Sequence, residues 1–396
     1  MRGEEGEKVE IPMKQGVVQG RVQRSVQHVL VPILLFCGIA GLAVAQPVAP
    51  QSVAAGIAAV AQRIRHAIPM PGLSVAAVAN GSIIVSEGFG TLDAQGTTPA
   101  TGDSRYRLAS VSKALTAVAV MRLVEQGRVT LDSPIQQYCP EYPFRRYVVT
   151  VRHLLAHCSG IRHYADLAEN YNRRYFPSLA ESVGIVANDS LLFPPGTQFH
   201  YSTYAFNLLG RLVERVCGQP FQQAIQTLVL APAGMPRSGS IGQLRQLGAE
   251  QIADGYTRTL AGEILPSKPL NLSDRLPGAG LVSTANDLAQ FSLALLQHRL
   301  LADTTLRQMW ANATFGGVAM PCGLGWFVAQ SSLGPLAMHD GAQSGCRALL
   351  MILPERHIAV AILANMEGDD LTEAMQQGGM EILGILSNAQ NPPPTR

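Results

Sequence analysis

Apolar positions along the chain recur in two rhythms, and the rhythms segregate by region. Residues 52–66 put Ile57, Val60, Ala61 and Ile64 on one helical face, and Pro69 and Pro71 end the run. Two apolar, partly β-branched runs follow at 73–79 and 82–89, separated by Asn80-Gly81. That pair tolerates the positive φ of a type I′ turn, so a β-hairpin is predicted. Near the far end, 335–339, 347–353 and 358–364 read as three further strands, with Pro354-Glu355-Arg356 as a turn. A last helix is predicted over 371–386, and 391–396 reads as a solvated tail.

The stretch between is mostly helical in pattern. Residues 112–125 carry Leu115, Val118, Val120, Met121 and Val124, stopped by Gly127; 151–157, 205–216 (stopped by Gly218) and 285–297 behave alike. Thr284-Ala-Asn-Asp287 reads as a capping box in which hydroxyl and carboxylate both satisfy free helix amides. The fold expected is α/β (α+β): an antiparallel sheet made from both chain ends, flanked by helices, with an inserted helical region. Its sheet part covers about 52–109 and 330–388, its helical part about 125–330, and the whole domain 46–390.

Ahead of this domain, residues 29–45 form an apolar run of 17 residues that follows Arg21 and Arg24 and ends in Ala43-Val44-Ala45. This is a signal-peptide pattern with cleavage after Ala45, giving an exported periplasmic or secreted protein, or an anchored one if uncleaved. The flank from Met13 onward is purely basic, which makes Met13 a possible start. Cys139, Cys158, Cys217, Cys322 and Cys346 remain after the run, an odd number without CxxC spacing. They imply neither a zinc site nor a disulfide framework.

Composition narrows the function classes. The 396 residues are 47% hydrophobic and 15% charged, with a net charge of +2, so the chain is globular and lacks the basic excess that nucleic acid requires. Only Lys8, Lys14, Lys113 and Lys268 among the 30 basic residues are lysines. A lysine retained against such an arginine bias points to a place where a proton must be lost, which arginine cannot do.

Lys113 belongs to Ser110-Val-Ser-Lys113, where hydroxyl and amine lie one helical turn apart on one face. An amine in a desolvated pocket can take the serine's proton, and the helix N-terminus favours developing negative charge. Tyr201, just before a helix, is a phenol that can share base duty near an ammonium, and Thr203 follows it. His339-Asp340-Gly341 ends a predicted strand, where Gly341 permits close backbone approach. The amide of Ala342 could join that of Ser110 as an oxyanion hole.

Together these residues resemble the serine β-lactamase and penicillin-binding protein family, in the branch of class C β-lactamases, D-Ala-D-Ala carboxypeptidases and family VIII esterases. That branch carries S-x-x-K, then Y-x-N or a variant, then K-T-G or H-x-G. Ser110/Lys113, Tyr201/Thr203 and His339/Gly341 take those places. Further similar stretches are Leu131-Asp-Ser-Pro134, the segment 151–160, the segment 278–284 and Gly323-Leu-Gly-Trp326. Ser159-Gly-Ile-Arg-His-Tyr164 resembles the serine β-lactamase-like group of animal mitochondria and bacteria, which is peptidase-like.

The resemblance implies catalytic roles for Ser110, Lys113, Tyr201 and His339, substrate contacts at Thr203, Gly341 and Ala342, and neither cofactor nor metal. It implies a serine hydrolase forming an acyl-enzyme on small peptide, ester or β-lactam-like substrates. Thr203 stands where β-lactamases usually carry Asn, so peptidase or esterase activity is expected ahead of β-lactamase or D-Ala-D-Ala carboxypeptidase activity. His157, Cys158 and His163 read as scaffold away from Ser110, and 164–187 as a substrate wall. No nucleic-acid partner is expected, membrane contact only through the N-terminal segment, and oligomeric state is left open. The reading from another class is a non-catalytic penicillin-binding or assembly-forming protein. The absence of G-x-S-x-G and H-E-x-x-H sets aside α/β-hydrolase and zinc-hydrolase readings.

Overall fold

The computed structural model describes residues 50–144, 146–246 and 251–390. The signal-peptide pattern, its cleavage point and the 391–396 tail lie outside the described residues. Among the described residues, no helix is long and apolar enough to cross a membrane.

The elements that place the site run as follows. Helix α1 (Pro50–Ala67) leads into strands β1 (Gly72–Ala79) and β2 (Ser82–Gly90). The helical region then contributes α2 (Ser112–Glu125), α3 (Thr203–Cys217), the short α4 (Leu276–Ala279) and α5 (Ala285–Leu296). The chain returns through β3 (Phe327–Ser331), β4 (Gly334–Gln343), β5 (Cys346–Leu353) and β6 (Ile358–Ala364) and closes with α6 (Asp369–Gln390). These six strands form one antiparallel sheet in the order β3-β4-β5-β6-β1-β2.

The two chain ends meet where β1 pairs with β6, Leu73 opposite Ala364 and Val75 opposite Ile362. Every residue of β1, β5 and β6 is buried, which explains their near-continuous apolar runs, broken only by Ser74 and Arg347: both faces of the sheet are covered. One face carries α1 and α6, where Gly379 lies against Leu349 and Met351 and Gly378 against Val60 and Ile64. The other carries α5, packed on β1 and β6. The hairpin turns at Asn80 (φ 51) and Gly81 (φ 72), as the Asn-Gly pair predicts.

Three expectations need correction. The sheet includes β3, whose five residues are too few to show a period against the loop before them. Strand β4 runs on past His339 to Gln343, because Gly341 pairs with Ala348 instead of breaking the strand. At α5, the Thr284 hydroxyl accepts from the Asp287 amide, but the Asp287 carboxylate turns away to accept from the Arg237 amide and the Ser238 hydroxyl. Half of the capping box is therefore a tertiary tie, since a neighbouring loop supplied the better donors.

Candidate active site

The nucleophile candidate sits on a strained turn. Ala109 holds φ 45, in the left-handed region, and the 3-10 turn Ala109–Val111 passes directly into α2. Ser110 is half-buried at that junction, while Lys113, one turn on, is wholly buried. Its Nζ lies 3.2 Å from Ser110 Oγ, 3.1 Å from Thr203 Oγ1 and 2.8 Å from the Gly278 carbonyl oxygen.

Those partners are fixed by packing between helices. Ser112 Oγ accepts from the Leu281 amide at 3.1 Å, and Thr116 Oγ1 donates to the Pro277 carbonyl at 2.7 Å, so α2 grips both ends of the 277–281 segment. Gly278 must be glycine, because a Cβ there would stand 2.9 Å from Thr203 Cγ2 and 3.1 Å from the Thr203 carbonyl. The small residue lets α4 press its carbonyl against the lysine amine.

Among the described residues no carboxylate hydrogen-bonds the Lys113 amine, and its surroundings disfavour charge. Burial pushes its pKa well below the ordinary lysine value, the nearby Arg275 charge pushes the same way, and Asp340 opposes them. Tyr201 is hydrogen-bonded to the Ser110 side chain, and its ring lies 4.8 Å from Lys113 Nζ. Burial drives that phenol well above its ordinary value. That burial opposes the phenolate form through which Tyr201 would share base duty.

The Tyr201–Thr203 segment is held from behind by two histidines. His157, itself at φ 54, stacks on the Tyr201 ring at 4.4 Å, and its Nδ1 accepts from the Ser202 amide at 3.2 Å. His163 Nδ1 accepts from the Thr203 amide at 3.2 Å, with its ring edge-on to Tyr201 at 5.6 Å. Burial first, then the Lys113 charge, keep both imidazoles well below their ordinary pKa, so they stay neutral acceptors. Ser202 caps α3 through the Ala205 amide. The two histidines, read from the sequence as scaffold away from Ser110, instead hold the Tyr201–Thr203 side of the site.

Strand β4 supplies the opposite wall. Pairing with β3 stops at Met338, while pairing with β5 continues to Gln343, so residues 339–343 present one open edge. The Asp340 carbonyl lies 2.7 Å from His339 Nδ1, which places it on that edge. Ala342, two residues on, faces the same way by the alternation of an antiparallel strand, and it is exposed. At Gly341 a Cβ would fall 2.2 Å from the Leu108 carbonyl oxygen and 3.1 Å from the Ser110 nitrogen, so only glycine admits this approach. His339 is buried and held down to about 3 by desolvation and the Lys113 charge. No hydrogen bond joins His339 to Ser110 or Lys113 among the described residues; it lines the wall beside Phe327, at 5.3 Å.

A strained serine with a buried lysine, a phenol and an open strand edge is a serine-hydrolase arrangement on a two-ended sheet. The family model Beta-lactamase matches residues 58–377. The chain belongs to the Beta-lactamase family. It is 24% identical to the human serine beta-lactamase-like protein LACTB, mitochondrial, over 81% of this chain and 78% of that one. Among solved structures, it resembles the octameric penicillin-binding protein homologue from Pyrococcus abyssi at 24% identity and TM-score 0.69, covering 82% of this chain and 77% of that one. It also resembles EstCE1, a hydrolase with promiscuous acyltransferase activity, at 22% identity and TM-score 0.72, covering 85% and 99%. These structural likenesses are of fold alone.

Within this Beta-lactamase-family site lie residues that sequence reasoning missed. Arg275, buried, donates Nε and Nη2 to the Asp274 carboxylate at 2.8 and 2.7 Å. Its guanidinium lies 4.3 Å from the Tyr164 ring centroid, and the Tyr164 hydroxyl meets Thr203. An Asp-Arg dipeptide is ordinary on a surface, and nothing in its spacing reveals that packing brings the Arg275 charge near enough to act on Lys113. Tyr164 does belong to the predicted 164–187 wall, whereas Tyr175 within it is exposed. The cysteines 139, 158, 217, 322 and 346 are free thiols, all but Cys217 buried.

Proposed function

We propose that the chain is a serine hydrolase that works through an acyl-enzyme on Ser110, with ester and peptide-like molecules as acyl donors. The observation that carries this is the stoichiometry around Lys113 Nζ. A neutral amine has two N–H bonds and one lone pair. Thr203 Oγ1 and the Gly278 carbonyl take the two donors, leaving the lone pair for the Ser110 hydroxyl 3.2 Å away.

In this reading Lys113 accepts the Ser110 proton as Oγ attacks the acyl carbon. The amides of Ser110 and Ala342 receive the negative oxygen of the tetrahedral intermediate. Tyr201, bonded to Ser110 and reluctant to ionise, relays the proton from Lys113 to the departing alkoxide or amine. Water repeats the sequence on the acyl-serine, releasing the acid and restoring Ser110. His339 shapes the wall as a neutral ring.

Thr203 supports esters and peptides over β-lactams. Its single hydroxyl already bonds Lys113 and Tyr164, which leaves at most one further hydrogen bond where an Asn amide would offer a separate donor and acceptor to a substrate amide. Labelling with a fluorophosphonate, followed by turnover of a p-nitrophenyl ester, tests the proposal. Ser110→Ala should abolish both while retaining a native melting transition; wild-type turnover in that variant would refute the assignment, and failure of the wild type to be labelled or to turn the ester over would leave the non-catalytic reading standing.

A further inference from the structure

We propose that Cys158 and Cys322 form a disulfide that fastens together two loops backing the Ser110 site. The inference stands on the geometry of the two thiols and does not depend on what the site hydrolyses.

Both side chains are wholly buried, and both thiols donate to one acceptor: Cys158 Sγ lies 3.0 Å and Cys322 Sγ 2.9 Å from the Ala156 carbonyl oxygen. Two sulfurs bonded to one oxygen at those lengths stand within about 6 Å of each other, although the whole helical region separates them in sequence. Among the described residues no other two cysteines share a hydrogen-bond partner. Cys139, Cys217 and Cys346 then stay single, which is how an odd count conceals one pair.

The backbones that carry the two thiols are pinned side by side. The Gly325 amide donates to the Leu155 carbonyl at 2.9 Å, joining the loop ahead of β3 to the end of the short helix Val151–Leu155. The Cys158 amide donates to the His153 carbonyl at 2.9 Å, and the Cys158 carbonyl accepts from the Gly196 amide at 2.8 Å. On the other loop the Cys322 carbonyl accepts from the Ala313 amide at 2.9 Å. With the backbones held, rotation about the Cα–Cβ bonds is the motion that brings the sulfurs to the bonded distance of about 2.0 Å.

Each loop backs part of the site. His157, next to Cys158, stacks on Tyr201 and receives the Ser202 amide. Gly325, three positions after Cys322, lies so close to α2 that a Cβ would fall 2.3 Å from Ala117 Cβ and 3.7 Å from the Lys113 carbonyl oxygen. A covalent link holds the support of Tyr201 to the support of Lys113.

The step takes a disulfide oxidant, a small molecule or a thiol–disulfide exchange protein. One cysteine thiolate attacks a sulfur of the oxidant and expels the first thiolate, and the second cysteine attacks the mixed disulfide and expels the other. The protein gives up two protons and two electrons, and the oxidant departs as two thiols. Burial pushes the Cys158 thiol up to about 12 and the Cys322 thiol well above its ordinary value, so neither ionises readily in the closed protein. The bond therefore forms as the chain folds, before the loops close over it.

The full chain, denatured and reduced, is refolded in parallel in a mixture of oxidised and reduced glutathione and in reductant alone. Each sample is then alkylated in denaturant with N-ethylmaleimide and digested without reduction for mass spectrometry. After oxidative refolding, the peptides of Cys158 and Cys322 should be recovered joined, and Cys139, Cys217 and Cys346 joined to no other cysteine. The linked form should melt at least about 3 °C above the reduced one, since the bond closes a long loop. In the double variant Cys158→Ser with Cys322→Ser, the two refolding conditions should give one melting temperature. Where refolding yields are poor, the same peptide map of protein recovered from an oxidising cellular compartment decides the question. A map in which Cys158 and Cys322 are not joined to each other overturns the proposal, and so does a melting temperature that the link leaves unmoved.

Discussion

Lys113 shows how much one side chain depends on its setting. With ammonium chemistry alone it would be one more surface cation; wholly buried, beside Arg275 and with three oxygen neighbours, it becomes a group inclined to neutrality. Lys113→Arg should therefore lose at least about a hundredfold in kcat/KM, the range of a lost general base, because a guanidinium keeps its proton and fits the cavity poorly. Steady-state ester kinetics decide this, and a rate comparable to wild type would show that charge alone suffices. Thr203 makes a complementary case. Nitrocefin and benzylpenicillin should be hydrolysed at least about tenfold less efficiently than the best ester or peptide donor, as expected for a missing polar partner worth about 1–3 kcal/mol. Equal catalytic efficiencies would make the chain a β-lactamase.

At the scale of elements, the site is a meeting of α2, α3, α4 and β4, none of which holds it alone. Gly341 marks the closest approach, so Gly341→Ala must push β4 away from the Ser110 turn. The expected cost is about 1–3 kcal/mol of stability, as for an overpacked core position, and a loss of acylation rate larger than the fall in melting temperature explains. Thermal melts alongside fluorophosphonate labelling separate the two, and unimpaired labelling would show that the approach is dispensable. The histidines behind Tyr201 were legible as residues of a conspicuous segment, but their role was not. His157 and His163 lie some forty positions from the amides they receive, and only the docking of α3 brings them there.

Across the whole molecule, charge at a distance tunes the base. In the proposed mechanism the active form of Lys113 is the neutral amine, so kcat/KM should rise with pH through a limb belonging to Lys113, at a pH below the ordinary lysine value. His339, held at about 3, stays neutral over that limb, and Tyr201 keeps its proton. Removing Arg275 alone would strand the buried Asp274 charge at a cost of about 3–5 kcal/mol. The double change Asp274→Asn with Arg275→Gln avoids this. Because Arg275 depresses Lys113, the double variant should shift the limb to higher pH, and an unmoved limb would place the titration elsewhere. The apolar run at 29–45 belongs to this scale too: we propose export with Gln46 as the mature N-terminus, and N-terminal sequencing of exported protein that still carries residues before Val29 would replace it with an anchor.

The sequence by itself determined the local matters: which runs are strands, where Asn80-Gly81 turns, and that Ser110 and Lys113 share a face. These follow from periods of two and 3.6 and from backbone preferences that act within a few residues. It also determined that both ends of the chain build one sheet, since only strands bounded by helices flank the helical middle. The tertiary structure alone decided what the site chemistry depends on. The protonation preferences of Lys113 and Tyr201, the Arg275 charge that acts on the amine and the open edge at Asp340 all arise from burial and from pairs far apart in the chain. Desolvation is a property of the packed whole, and no short-range pattern encodes it.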